Sequence, residues 1–243
     1  MTQAAVSAVR RDWFAALASL VIESASGEPL QDYAWPRTDR PAIAVAGLSP
    51  RCGVTTIARA LGAELAVRDA DHAAVVTTAA LGGGGIPLGT LPAGRLARAV
   101  GRSLPVRTRA VGRLCFAELV ADDQARLCDV ARTFAPLVID VADASTLSVV
   151  ASLVDAVLLV GSPASEPALA RVLVESLARV GPEPFVVLNR EGGDGERWEG
   201  HAGPRLPDAR VAAQLALAGR EAPGEFGRAI AALADHVLEV TLR

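Results

Sequence analysis

The residues best placed for chemistry in this chain are Gly53, Val54, Thr55 and Thr56, at the start of a helical pattern. A short apolar strand, Ala42–Ala46, runs into the turn Gly47-Leu-Ser-Pro-Arg-Cys-Gly53, and the amphipathic stretch Thr55–Arg68 follows. A strand, a Gly-containing loop and a helix N-terminus in that order can cradle phosphate. Backbone N–H groups and the positive helix end face the anion, a hydroxyl reaches Mg²⁺, and a lysine neutralises the outer phosphates. Here Val54 stands where that lysine belongs. The chain has no lysine at all: its 24 basic residues are all arginine. Mutational bias can replace surface lysines with arginines, but it does not explain a valine in the loop. Arg51 is the loop's one cation, and a guanidinium pairs well with phosphate oxygens. Cys52 lies at the loop mouth as a candidate reactive thiol.

Three further places complete the constellation. Asp140 closes the apolar run Leu137-Val-Ile-Asp, where a carboxylate can hold Mg²⁺ or one of its waters. A strand-end Asp also starts turns, and Thr55 or Thr56 would also cap a helix. Asn189 and Arg190 end the run Phe185–Asn189, and an asparagine there can bond a purine edge. Arg205-Leu-Pro207-Asp208 is the last candidate.

These residues need a scaffold, and the pattern supplies one. Strands are predicted at Ala42–Ala46, Ala73–Thr77, Arg113–Phe116, Leu137–Asp140, Ala156–Gly161 and Phe185–Asn189. Several are almost wholly apolar, as parallel strands covered on both faces are. Helical patterns lie at 55–68, 93–101, 122–134, 146–154, 167–180 and 224–240. The alternation predicts an α/β fold, a doubly wound and mostly parallel sheet with flanking helices. Such sheets bind ligands at the carboxyl ends of their strands, where the 47–55 loop falls. The stretch Leu81–Thr90, with four consecutive glycines, is expected to be a surface loop or an anion-binding nest. Residues 191–204 are expected to form a polar, Gly-rich excursion.

Residues 1–40 read as a separate N-terminal helix and linker, ahead of a main domain at 41–243. Val6, Val9, Trp13 or Phe14, Leu17 and Leu20 or Val21 form one stripe over 4–22, and a Gly/Pro/polar connector follows. The stripe can pack on the sheet edge or face a partner.

Composition narrows the function classes. Hydrophobic residues make up 51% and aromatics 4%, so an Ala/Val/Leu core is well supplied while platforms for nucleic-acid bases are few. The net charge of -3 gives no global basic field for nucleic acid. Cys52, Cys115 and Cys128 have neither metal-ligand spacing nor an even count, which fits reduced thiols and a cytoplasmic setting. No apolar run approaches the length of a transmembrane segment, and Arg10, Arg11 and Asp12 interrupt the only N-terminal apolar stretch, so no signal peptide is expected.

From Pro41 onward the chain resembles the MinD/ParA branch of P-loop ATPases, and within it the degenerate, pole- and pilus-associated CpaE/TadZ type. The family loop Lys-Gly-Gly-x-Gly-Lys-Thr-Thr falls on Ser49-Pro-Arg-Cys-Gly-Val-Thr-Thr56, a degenerate Walker A in which both lysines and two of three glycines are gone. The family's strand ending in aspartate matches Pro136–Asp140, its Val-x-Asn-Arg matches Val187–Arg190, and its proline loop matches Leu206–Asp208. If nucleotide binds, the resemblance implies contacts from Arg51, Cys52, Gly53, Val54, Thr55, Thr56, Asn189, Arg190 and Pro207. It also implies Mg²⁺ at Thr55 and Asp140, and adenine facing Asn189. The family's first lysine crosses a dimer to the partner's nucleotide, which Ser49 is too short to do. The family aspartate after the second strand is replaced by Thr77-Thr78-Ala79-Ala80, and Pro50 removes an N–H from the loop.

With these catalytic parts missing together, the expected function is that of a pseudo-ATPase. It would be a non-hydrolysing scaffold for positioning or assembly, holding ATP or ADP with Mg²⁺ weakly or not at all. A homodimer, another protein as partner and recruitment to a membrane-associated complex are the further expectations. The alternative is an active ATPase with a lysine-free loop that uses Arg51. A small-molecule ligase of the dethiobiotin synthetase type is disfavoured, since those enzymes also use the loop lysine.

Overall fold

The computed structural model describes residues 40–68, 73–77, 108–111, 113–118, 135–142, 146–191, 198 and 203–241. The predicted helices at 4–22, 93–101 and 122–134, the 81–90 loop and most of the 191–204 excursion lie outside them, as does Cys128.

The described chain runs β1 (Ala42–Gly47), α1 (Val54–Arg68), β2 (Ala73–Thr77), β3 (Thr108–Val111), β4 (Leu114–Glu118), β5 (Leu137–Val141), α2 (Leu147–Ala151), β6 (Ala156–Gly161), α3 (Pro167–Leu177), β7 (Phe185–Glu191), β8 (Arg205–Pro207), α4 (Arg210–Leu217) and α5 (Gly224–Thr241). The strands form one eight-stranded sheet in the order β3-β4-β2-β5-β1-β6-β7-β8. All pairings are parallel except β3 with β4, so the doubly wound α/β expectation holds with one antiparallel edge strand.

Two strands and one helix are additions to the sequence reading. β3 is a four-residue antiparallel edge, too short to carry a period. β8 is three residues ending in Pro207, a residue that edge strands tolerate because no ladder N–H is required there. Helix α4 occupies the Ala-rich stretch after the Leu-Pro-Asp step. Two predicted helices end early: α2 covers 147–151 of 146–154, and α3 stops at Leu177.

β1 lies centrally, and its alternation divides the core. Ala42, Ala44 and Ala46 face the layer holding α2, α3 and Trp198. Ile43 and Val45 face the layer of α1, α4 and α5, with Ile57, Leu61, Ile230 and Leu233. Each fully buried Leu or Ile contributes roughly 1.5–3 kcal/mol of apolar transfer. Arg68 at the end of α1 binds Glu64 one turn back at 2.9 Å and reaches Asp235 and the Ala231 carbonyl of α5.

This alternation also aims the site. Side chains two apart on a strand share a face. Val75, Val138 and Val187 lie in the α1 layer. Thr77, Asp140 and Asn189, each two residues further on, therefore point the same way, toward the N-terminal end of α1.

Candidate functional site

β1 ends at Gly47, and the chain turns through Leu48–Gly53 before α1 begins at Val54. Thr55 and Thr56 thus lie in the first helical turn rather than at the cap, and the Ile57 N–H donates to the Gly53 carbonyl at 3.0 Å. The loop carries two left-handed residues, Arg51 at φ 63° and Gly53 at φ 103°. Glycine adopts that region freely, whereas an arginine there costs roughly 1–2 kcal/mol.

The start of the loop is fastened to β6 and the turn after it. The Leu48 N–H donates to Val160 O at 2.9 Å. Ser49 Oγ and Ser165 Oγ are 2.6 Å apart, and Ser165 Oγ accepts from the Ser162 N–H at 3.0 Å. The far limb is fastened to β7: Asn189 Nδ2 donates to the Cys52 carbonyl at 2.8 Å. Between the two, the Cys52 N–H turns back to Ser49 O at 3.4 Å, and Pro50 has no N–H.

The base of the loop is packed. A Cβ placed on Gly47 would meet Cys52 Sγ at 2.7 Å and Val54 Cγ2 at 2.9 Å. The Cys52 side chain is 1% exposed, and burial pushes its thiol pKa up. That makes the thiol less ionised than an ordinary cysteine, opposite to what a reactive thiolate needs.

At the neighbouring strand end, Asp140 pairs in register with Val45 of β1 and Thr77 of β2. It is 3% exposed. Its Oδ2 accepts from Thr77 Oγ1 at 3.4 Å, while its Oδ1 has no hydrogen-bond partner among the described residues. Burial raises its pKa, with the Thr55 hydroxyl, the Arg59 guanidinium and the Thr77 hydroxyl pulling the other way. An orphaned buried carboxylate oxygen beside a helix-start threonine is a donor set of hard oxygens, and it fits Mg²⁺. Arg59, one turn beyond Thr55, sits over the Phe116 ring at 4.9 Å and donates to the Leu217 carbonyl at the end of α4.

The structure therefore brings together the loop residues 51–56, Asp140 and Asn189. Arg190, at φ 60°, sits in a bulge of β7 against β8, where the register shifts between Asn189 and Glu191. Pro207 ends β8 beside that bulge, one strand further from the loop. Among the described residues no group of three or more His, Cys, Asp or Glu side chains could hold a metal, and no helix is long and apolar enough to cross a membrane. Sequence reasoning passed over Ser162, Ser165 and Arg59. The only signals for them were a Ser-x-x-Ser turn after an apolar strand and an arginine four residues beyond Thr55.

The sequence matches no family model and no curated protein. Solved structures do match. A ParA family ATPase from Chlorobium tepidum superimposes with a TM-score of 0.55 at 17% identity, covering 82% of this chain and 100% of that one. MinD in the MinC:MinD cell division complex of Aquifex aeolicus gives 0.58 at 15% identity, over 82% of this chain and 96% of that one. The septum site-determining protein MinD of Pyrococcus horikoshii, complexed with Mg-ADP, gives 0.56 at 16% identity, over 82% and 95%. The strand order, the loop at the end of β1 and these superpositions agree that this chain has the P-loop fold of the ParA and MinD ATPases.

Proposed function

We propose that this chain is a ParA/MinD-like protein that does not hydrolyse nucleotide and serves as a scaffold for positioning or assembly through protein contacts. The observation that carries this is the state of the loop. Val54 puts a methyl group, not an ammonium, beside Gly47, and Cys52 packs next to it. Phosphoryl transfer is catalysed almost wholly by positioning and charge. Here the loop offers neither lysine, and Ser49 is bonded within its own subunit to Ser165.

The metal side is in better order. Thr55 and Asp140 would hold Mg²⁺, which when bound would neutralise phosphate charge. Asn189, Arg190 and Pro207 would flank a base. We accordingly assign weak nucleotide binding at most, a main domain at 41–243 with residues 1–40 as an appendage, and a dimer whose formation does not need ATP. The intact Asp140–Thr55 pair favours one second reading, an ATPase in which Arg51 supplies the missing charge.

Steady-state ATP turnover with Mg²⁺ separates the two. The expected result is background release of phosphate, unchanged in Asp140→Ala. Turnover that Asp140→Ala abolishes would overturn the scaffold reading. Light scattering with and without Mg-ATP should give one and the same mass, and dimerisation only on adding ATP contradicts the assignment.

A further inference from the structure

We infer that Asn189 is a latch on the loop: its amide, presented by the end of β7, holds the Cys52–Gly53 limb closed, and that limb opens when the amide lets go. Three features of the fold meet at this contact. The first is the bond itself, Asn189 Nδ2 to Cys52 O at 2.8 Å, made by a side chain only 5% exposed. Buried amides of this kind are costly to leave unpaired, so the bond constrains both partners.

The second is steric. A Cβ on Gly53 would lie 2.2 Å from Asn189 Nδ2. The amide therefore lies directly against the Gly53 backbone, with no room for any side chain. With φ at 103°, Gly53 is also in a conformation that other residues resist. The loop backbone and the amide are thus fitted to one another.

The third is the strand end that carries the asparagine. β7 is bulged against β8 just past Asn189, and Arg190 is held left-handed at φ 60°. Bulges re-aim side chains and recur beside functional sites. This one interrupts the ladder directly after the residue whose amide meets the loop. Arg190 there carries a conformational cost, as Arg51 does in the loop. The other fastenings, Ser49 to Ser165 and Leu48 to Val160, hold the start of the loop; on the Cys52 limb the Asn189 bond adds to the longer Cys52 N–H to Ser49 O contact at 3.4 Å.

Opening this limb would uncover the Cys52 thiol, and that gives a direct readout. In the native full-length chain, alkylation by iodoacetamide is followed peptide by peptide. Cys115, buried in β4 at 1% exposure, reports unfolding of the sheet. Asn189→Asp keeps the shape but removes the donor, and Asn189→Ala removes the side chain. Both should speed Cys52 labelling by about two- to tenfold, the worth of one hydrogen bond in an opening equilibrium, while Cys115 labelling stays at the wild-type rate. Ser165→Ala should leave Cys52 nearly unchanged. The inference is overturned if Cys52 labelling is unaffected in both Asn189 variants, if Cys115 accelerates in step with Cys52, or if Ser165→Ala releases Cys52 equally. ATP turnover does not enter this readout, so the latch and the scaffold reading stand or fall separately.

Discussion

The two halves of the candidate site differ in how far their polar groups are satisfied within the chain. The loop half is closed upon itself: Ser49 bonds Ser165, the Cys52 carbonyl is taken by Asn189, and the Val54 and Cys52 side chains fill the space over Gly47. The strand-end half is open. Asp140 keeps an oxygen with no hydrogen-bond partner among the described residues, although it is buried beside Thr55 and Thr77. A buried unpaired carboxylate oxygen is costly, whereas a self-bonded loop is not. The loop half has the features of a stable structural element, and the strand-end half still has the features of a ligand site. On the proposed reading, the contrast puts the loss of phosphate chemistry in the loop and leaves the cation side intact.

The sharpest way to break the contrast is Val54→Lys. If the loop half lacks only its charge, a lysine there should strengthen Mg-ATP binding by about 1–3 kcal/mol, roughly five- to 150-fold, through charge-assisted bonds to phosphate. Titration calorimetry measures it. No gain would mean that the self-bonded loop is shut to phosphate whatever its charge, which makes the two halves still more unlike.

The open half predicts a smaller effect of opposite kind. Asp140→Asn should stabilise the protein by about 1–2 kcal/mol at neutral pH, raising Tm by roughly 2–8 °C. The pH dependence follows from the raised pKa. Below the ordinary value of 3.8 the carboxyl is protonated folded or unfolded and costs nothing. As pH climbs from there to the folded pKa, the unfolded chain releases a proton that the folded chain retains, so wild-type stability falls. Above both, the full cost remains. Asparagine does not titrate, so its advantage should be greatest above the raised folded pKa and shrink as pH drops toward 3.8. An advantage independent of pH would place its origin in packing. Added Mg²⁺ should favour the wild type and narrow the gap.

Much of this is legible in the sequence. Strands such as Ala156–Gly161 are apolar on both faces, and only a covered parallel sheet makes sense of that. Asp140 and Asn189 were legible because each closes such a run, and strand ends collect where ligands bind. The edge strands β3 and β8 were not, since three or four residues carry no period and their pairing is set by partners distant in sequence. The fastening of the loop was equally hidden. Asn189 touches a residue 137 positions away, and Ser49 one 116 away. The sequence read Asn189 as facing a base, and nothing local could reveal that its amide meets the loop backbone first. Nor could spacing show that Ser49, placed where the family has a cross-dimer lysine, would find a hydroxyl partner at home.

Arg51 separates the remaining readings with the smallest change in stability. At φ 63° it bears a left-handed penalty of about 1–2 kcal/mol that glycine would not. Glycine in turn gives the unfolded chain about 0.5–1 kcal/mol more entropy to lose. The two partly offset, and Arg51 also takes part in a further interaction within the chain. Arg51→Gly should therefore move Tm by no more than about 6 °C in either direction. Its effect on nucleotide is where the readings part. If Arg51 stands in for the loop lysine, removing it should cost about tenfold or more in Mg-ATP affinity, since a guanidinium–phosphate pair is among the stronger charge-assisted contacts. If the loop half has given up phosphate, the wild type has little affinity to lose. The variant should then titrate like its parent, both alone and on a Val54→Lys background, where the lysine would carry the charge. A tenfold loss on that background would show the arginine cooperating with the lysine, and the loop would then have to be counted as a phosphate site after all.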